Sequence, residues 1–447
     1  MRRFRERDAG RRGPGVKGAG LRGARRRTAG ALAVGVLLAV AAVGCANPRG
    51  GAEGPKPEQG GTLTFASWHW LESGRGELLQ AAVSKYTARR PGVTIRKQAV
   101  TRAEYEKTMS TQIGAGRGPD VFIIPDTYFP ELAEADALEP LDGLLDPATE
   151  ARLLPAASDF VVGGKRLALL SEQSPYGLFW NKKLLDQAGV TPPKSFDELF
   201  TAAETVHKRT GKIGFAGRHQ MNEEPIWWSD HANWTYGFGG RWSDGERLTI
   251  NSPQNVAAET AFKKMYDSPA FSLGDDASTY RSKFAAGQVG LIIDCATCMR
   301  TMVNDNKVVP TGSVGGSAIP FPSGGGSAYV ALGLGINPHS RNKALARDFL
   351  KWLYSPEGQQ ALQRVNHPST VGTDIEVPAD LLATTPWVKP VYDALPKARK
   401  PVVDGFGSDT PRIRRIVLSQ VERILTRDAD PETALDQAQR EAVEETR

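Results

Sequence analysis

Residues 116–142 read GRGPDVFIIPDTYFPELAEADALEPLD. At the centre, PDVFIIPD (119–126) is a nearly continuous apolar run, which suits a strand buried on both faces in a parallel sheet. The pattern upstream agrees. In TLTFAS (62–67), Leu63 and Phe65 alternate with Thr62 and Thr64, as in a strand. Leu78, Leu79, Ala82, Val83 and Tyr86 then recur at helical spacing until Pro91-Gly92 stops them. VTIRKQAV (93–100) is the next strand candidate and EYEKTMSTQI (104–113) the next helix. A β-α-β-α-β order predicts an α/β fold with helices over a mostly parallel sheet and ligand sites at the carboxyl ends of its strands.

The rest of the chain keeps this style. Ser195 and Glu198 stand at capping-box spacing, Leu199, Ala202, Ala203 and Val206 share one face, and Gly211 supplies a stop. ALARDFLKWLYSPEGQQALQ (344–363) and RIRRIVLSQVERIL (412–425) are amphipathic, the second through Ile413, Ile416, Val417 and Val421. The glycine-rich stretch TGSVGGSAIPFPSGGGSAY (311–329) lacks a G-K-[ST] ending and reads as turns and a crossover, not as a phosphate loop.

The amino terminus carries an address. Eleven Lys or Arg and two acids occupy residues 1–27, followed by the uncharged stretch AGALAVGVLLAVAAVGC (29–45), too short for a comfortable membrane span. It closes on Ala42-Val43-Gly44-Cys45, which resembles a bacterial lipobox. Residues 1–45 are therefore expected to be a lipoprotein signal peptide, with Cys45 as the lipidated terminus and the protein held on the outer face of the cytoplasmic membrane. The leader's net +9 exceeds the +6 of the whole chain, so the remainder is net −3 and its composition is no argument for nucleic-acid binding. Residues 46–59, rich in Gly and Pro, read as a flexible tether.

An exported setting also bears on IIDCATCMR (292–300). Outside the membrane an unprotected pair of thiols oxidises, so Cys295 and Cys298 are expected to form a short-range disulfide. Zinc would need two more ligands, and the chain has no second C-x-x-C. A serine-hydrolase G-x-S-x-G and a zinc H-E-x-x-H are likewise missing from the sequence.

The order of GGTLTFASW (60–68), GRGPDVFIIPDTYFPELAEADALEPLD, LFWNKKLLDQAGVTPPKSFDEL (178–199), FAAGQVGLII (284–293), LGLGINPHSRNKALARDFLKWLYSPEGQQAL (332–362) and DPETALDQAQREA (430–442) resembles the extracellular solute-binding proteins of bacterial ABC importers. The likeness is to the sugar and oligosaccharide family of maltose-binding type. It implies a two-lobed periplasmic-binding-protein-like fold (type II) whose ligand cleft lies between lobes joined by hinge strands. Lobe one would take residues 60–172 and 322–365, lobe two 173–321 and 366–447, with hinge crossings at 171–174 and 320–322. The implied partners are a sugar ligand and the permease subunits of an ABC transporter, with no cofactor, no metal and a monomeric state.

A sugar presents apolar CH faces and a rim of hydroxyls, so its site calls for aromatic platforms with neutral and acidic hydrogen-bonding groups. Trp68, His69 and Trp70 follow the first strand, and Asp126 and Tyr128 follow PDVFIIP, both at carboxyl ends. NEEPIWWSDHANWTYGFGG (222–240) combines large aromatics and acids and reads as a turn-rich binding segment. The resemblance implies Glu224, Trp227 and Trp228 there as sugar contacts, with Asp230 beside them. Glu172 and Tyr176 flank the crossing, Tyr329 follows the return, and His367 lies where the chain passes back between lobes. Where relatives carry a stacking aromatic this chain has Thr297, so Asp294 and the crosslinked turn are expected to shape the cleft wall. Two other readings stay open: a non-sugar solute such as a polyamine, held through cation–π contacts, and an exported glycoside hydrolase using a pair of these carboxylates.

Overall fold

A computed structural model describes residues 60–304 and 308–446, so the leader, Cys45 and the tether lie outside the described residues. In chain order the strands are β1 (Gly61–Ser67), β2 (Val93–Ala99), β3 (Val121–Pro125), β4 (Val161–Val162), β5 (Lys165–Arg166), β6 (Leu169–Asn181), β7 (Ile213–Ala216), β8 (Val289–Cys295), β9 (Val314–Ser317) and β10 (Tyr329–Ile336). All but the β4-β5 hairpin form one sheet in the order β2-β1-β3-β10-β6-β8-β7, with β9 pairing to β6 off that path.

The sheet is mixed rather than mostly parallel. β1 runs parallel to β2 and β3, and β7 parallel to β8, but β10 is antiparallel to β3 and β6, and β6 to β8 and β9. The antiparallel pairs are central because β6 runs from one half of the sheet to the other and β10 lies between β3 and its first half, so neither belongs to a local β-α-β unit. All 13 residues of β6 are buried. Its first half, through Pro175, pairs with β10, and from Tyr176 onward it pairs with β8 and β9. Flanking partners on both sides satisfy backbone groups that water cannot reach.

Two apolar cores share this strand. Leu63, Phe65, Tyr86, Tyr105, Phe122, Phe160 and Phe349 belong to the core on the amino-terminal half of β6. Trp227, Trp228, Trp234, Phe215, Phe262 and Val421 build the core on the other half. A third cluster of Phe179, Tyr280, Phe284, Met299 and Trp387 covers the opposite sheet face there. Local signals behave as the sequence reading expects at Ser195, whose Oγ accepts from the Glu198 amide at 3.2 Å, and at Gly211, whose φ of +67° suits a residue without a side chain.

The segment after Asn222 departs from that reading. Glu224–Gly237 is a helix, with Pro225 in the first turn, where a missing N–H costs nothing. Every residue from Trp227 to Gly237 is buried. A helix enclosed on all sides needs no polar face, so the helical period that would betray it in the sequence is erased. Trp228 stacks on Trp242 with ring centroids 3.9 Å apart and donates its indole N–H to the Pro401 carbonyl at 2.7 Å. Trp227 has no exposed surface. Trp227→Ala is therefore expected to destabilise the fold by about 3–5 kcal/mol, the usual cost of emptying an aromatic core position, measured as a lowered midpoint in denaturant unfolding.

Candidate ligand-binding cleft

The carboxyl ends of β1, β3 and β8 and the middle of β6 meet around a cavity of about 240 Å³. Five residues expected from sequence line it: Trp68, His69, Asp126, Glu172 and Tyr176. The chain after β1 turns through a short 3-10 segment, Trp68–Leu71, capped by Ser67 accepting from the His69 amide at 2.9 Å, which sets Trp68 and His69 against the cavity. Trp70 is turned back instead, packing edge-on to Phe65 and donating to the Phe65 carbonyl at 3.1 Å.

Glu172 is the node of the inner cavity. Its Oε2 accepts from Arg75 Nη2, while Oε1 accepts from Thr297 Oγ1 at 2.9 Å and Ser369 Oγ at 3.0 Å. Arg75 also donates to Glu72 at 3.2 Å and to Asn366 Oδ1 at 2.8 Å, and Asn366 in turn donates to the Ser171 carbonyl at 2.7 Å. Thus the first helix, the shared strand, the turn after β8 and the segment after Asn366 converge on one carboxylate. His69 Nε2 stands 4.0 Å from Glu172. Burial first, then the nearby Arg75 and Arg102 charges, hold the His69 imidazole well below its usual 6.5, so it is neutral here.

Cys295 and Cys298 are joined by a disulfide, both line the cavity, and Thr297 lies between them in the first turn of the helix Ala296–Asn304, where the sequence suggested only a crosslinked turn. The Thr297 amide donates to Ser174 Oγ at 3.2 Å, tying this turn to β6.

Asp126 is anchored to β10. Its carboxylate accepts from the Thr127 amide and from the Ala331 amide of β10, each at 2.8 Å. Burial is the largest influence on it, with Asp159 adding to the rise, and together they raise its pKa from 3.8 to about 7.

The inner cavity shares Arg102, Arg218, Pro225, Ile226, Arg281 and Thr301 with a larger outer compartment of about 750 Å³. Behind this lining, Asp230 lies 3.0 Å from Arg218 and accepts the Tyr176 hydroxyl at 2.5 Å. Asp294 accepts from Arg281 Nε and Nη2 at 2.8 and 2.7 Å and from the Tyr280 hydroxyl at 3.1 Å. Both acids lie behind the wall and hold lining side chains in place.

Other expected residues sit away from the cavity. Trp227 and Trp228 are in the core, Glu224 is taken by Arg414 at 2.6 Å, and Tyr128 shares a hydrogen bond with Ser110 at 2.6 Å. Tyr329 donates to Asp159. His367 meets Thr385 at 2.7 Å, with burial and then Arg300 lowering its pKa to about 4. Arg75, Arg102, Arg218, Arg281 and Thr297 also line the cavity, and none of them is an aromatic ring or an acid, the residue types that mark a sugar site in sequence. Arg75 and Arg102 are each the first residue of a helix, a place where a charge reads in sequence as ordinary surface.

Two tests follow from this geometry. Asp126 binds its proton more tightly folded than unfolded, so through this group stability falls as pH rises from about 4 to about 7, and Asp126→Asn is expected to flatten that slope in pH-dependent unfolding. Arg75→Met leaves Glu172 buried without its cation and should cost about 3–5 kcal/mol in denaturant unfolding, most of it recovered in the double variant with Glu172→Met.

A family model described as bacterial extracellular solute-binding protein matches residues 70–360. A binding protein of Brucella abortus (strain 2308) is 25% identical over 290 residues, covering 63% of this chain and 69% of its own. The maltotriose-binding protein of Pyrococcus abyssi (strain GE5 / Orsay) is 25% identical over 302 residues, covering 64% of this chain and 61% of its own. Among solved structures, the GacH receptor of Streptomyces glaucescens GLA.O, determined unliganded and with acarbose, superposes with a TM-score of 0.75 at 23% identity. The match covers 87% of this chain and all of that one. This likeness shows a two-lobed α/β fold with the cavity between the lobes.

Proposed function

The chain belongs to the bacterial extracellular solute-binding protein family, and we propose that it captures a carbohydrate between its lobes and delivers it to an ABC permease by hinge closure. The observation that carries this reading is the lining of the cleft. Guanidiniums, carboxylates and hydroxyls alternate there: Arg75 with Glu172, Thr297 and Ser174 in the inner cavity, Arg102 with Glu106 in the outer one. Each sugar hydroxyl is both donor and acceptor, so an array of fixed donors beside fixed acceptors suits it. Trp68 supplies an apolar ring beside them. A ligand bridging lobes joined through β6 would favour the closed state through contacts present only there.

In this proposal lobe one comprises residues 60–172 and 322–365, and lobe two residues 173–321 and 366–447. The protein works as a monomer, tethered through lipid on Cys45 at the outer face of the cytoplasmic membrane, and performs no chemistry on its ligand. The family and its relatives are binding proteins, which supports the last point.

The test is a thermal-shift screen of the purified protein against neutral and acidic mono- and oligosaccharides and putrescine, followed by chromatography of each saccharide after long incubation. At least one saccharide is expected to raise the melting temperature and to be recovered intact. A shift with putrescine and with no saccharide overturns the carbohydrate reading, and sustained accumulation of cleaved product overturns the binding reading.

A further inference from the structure

We propose that the outer compartment is an anion subsite, so that the captured carbohydrate carries a carboxylate, sulfate or phosphate group. This deepens the reading above and rests on it.

Three guanidiniums, Arg102, Arg218 and Arg281, line the outer compartment against two carboxylates, Glu106 and Glu223. All three also line the inner cavity, so they stand where the two compartments join, brought there by separate elements. Arg102 is the first residue of the helix Arg102–Gly114, the end at which the helix dipole disfavours a cation. It nevertheless points a one-third exposed side chain at the cleft, 3.0 Å from Glu106 and with its guanidinium carbon 4.9 Å from the centre of the Trp68 ring. A cation held against the dipole is compensated when a second anion arrives beside it.

Arg218 supplies an independent observation. It is more than nine-tenths buried, lines both compartments, and makes no hydrogen bond at Nε or Nη1, although Glu223 and Asp230 lie 3.3 and 3.0 Å away. Asp294 takes Nε and Nη2 of Arg281, and no described residue takes Nη1.

The backbone adds charge of the same sign. The helices Glu224–Gly237 and Ala277–Ala285 present their first turns to this compartment, through Pro225 and Ile226 in one and Ala277 and Ser278 in the other. An amino-terminal end favours an anion; in the second helix Glu223 already accepts from the Ala277 amide at 3.0 Å and Asp276 from the Thr279 amide at 2.7 Å, so the contribution comes from the first. Glu224, the acid that could have filled that place, is turned to Arg414. With Trp227 and Trp228 in the core, the cleft also has little stacking surface to offer a neutral ring, and charge recognition takes that part.

The experiment is calorimetric titration of the purified protein with paired probes of matched size: trigalacturonate against a neutral galactose trisaccharide, and glucose 6-phosphate against glucose, with inorganic sulfate as a sugar-free anion. At low salt the acidic member of at least one pair is expected to bind about ten-fold or more tightly than its neutral partner, an advantage that shrinks as salt is raised. Arg102→Gln should bring the ratio close to one, whereas Arg247→Gln, on the exposed surface, should leave it unchanged. Neutral probes binding as tightly as acidic ones, or an acidic preference untouched by Arg102→Gln, overturns the anion subsite and leaves the carbohydrate reading standing. Arg102-dependent sulfate binding with no binding of any saccharide upholds the subsite and overturns the carbohydrate reading. Binding of none of the probes overturns both.

Discussion

A single buried carboxylate, Glu172, organises the middle of this molecule. It lies on the one strand that belongs to both cores, and it is held by a guanidinium from the first helix and by hydroxyls from the turn after β8 and from Ser369. In a low-dielectric interior such a group is tolerable only when fully paired. Any change in the angle between the two halves has to carry Arg75 and Thr297 along or break their bonds to it. In the proposed function, binding and closure would thereby be linked to the same few hydrogen bonds.

The same logic explains how the cleft wall is built. Asp230 and Asp294 are spent on Arg218, Arg281 and two tyrosine hydroxyls, which fixes long, flexible side chains in one arrangement at a surface that must be ready before a ligand arrives. The disulfide turn does comparable work on Thr297, which has no charge and reaches β6 through its amide and hydroxyl. Aromatic residues are used differently. Most of the large rings after Asn222 fill the second core, where they stack on one another instead of on a ligand.

Much of the fold was legible in the chain. The apolar run at 121–125, the alternation of β1 and the capping signals at Ser195 and Gly211 all report local requirements, and local requirements survive in sequence. The mixed sheet was not legible, because the antiparallel pairing of β6 with β10 joins segments about 160 residues apart. In the cleft, positions directly after a strand were readable: Trp68, His69 and Asp126 stand at carboxyl ends and line the cavity, and Glu172 and Tyr176 sit on the crossing strand itself. The helix Glu224–Gly237 misled, since enclosure on all sides left no polar face for a period to mark.

By itself the sequence determined the α/β class and the disulfide spacing, since each depends on residues close together in the chain or on compartment, while the crossing came only from the family resemblance. Only the tertiary structure decided which polar and aromatic residues face the cleft. Trp227 and Trp228 are as apolar as a sugar platform requires, and arginines at helix starts look like surface charge, so composition cannot sort them. Direction is set by what packs behind each side chain, and those partners arrive from distant parts of the chain.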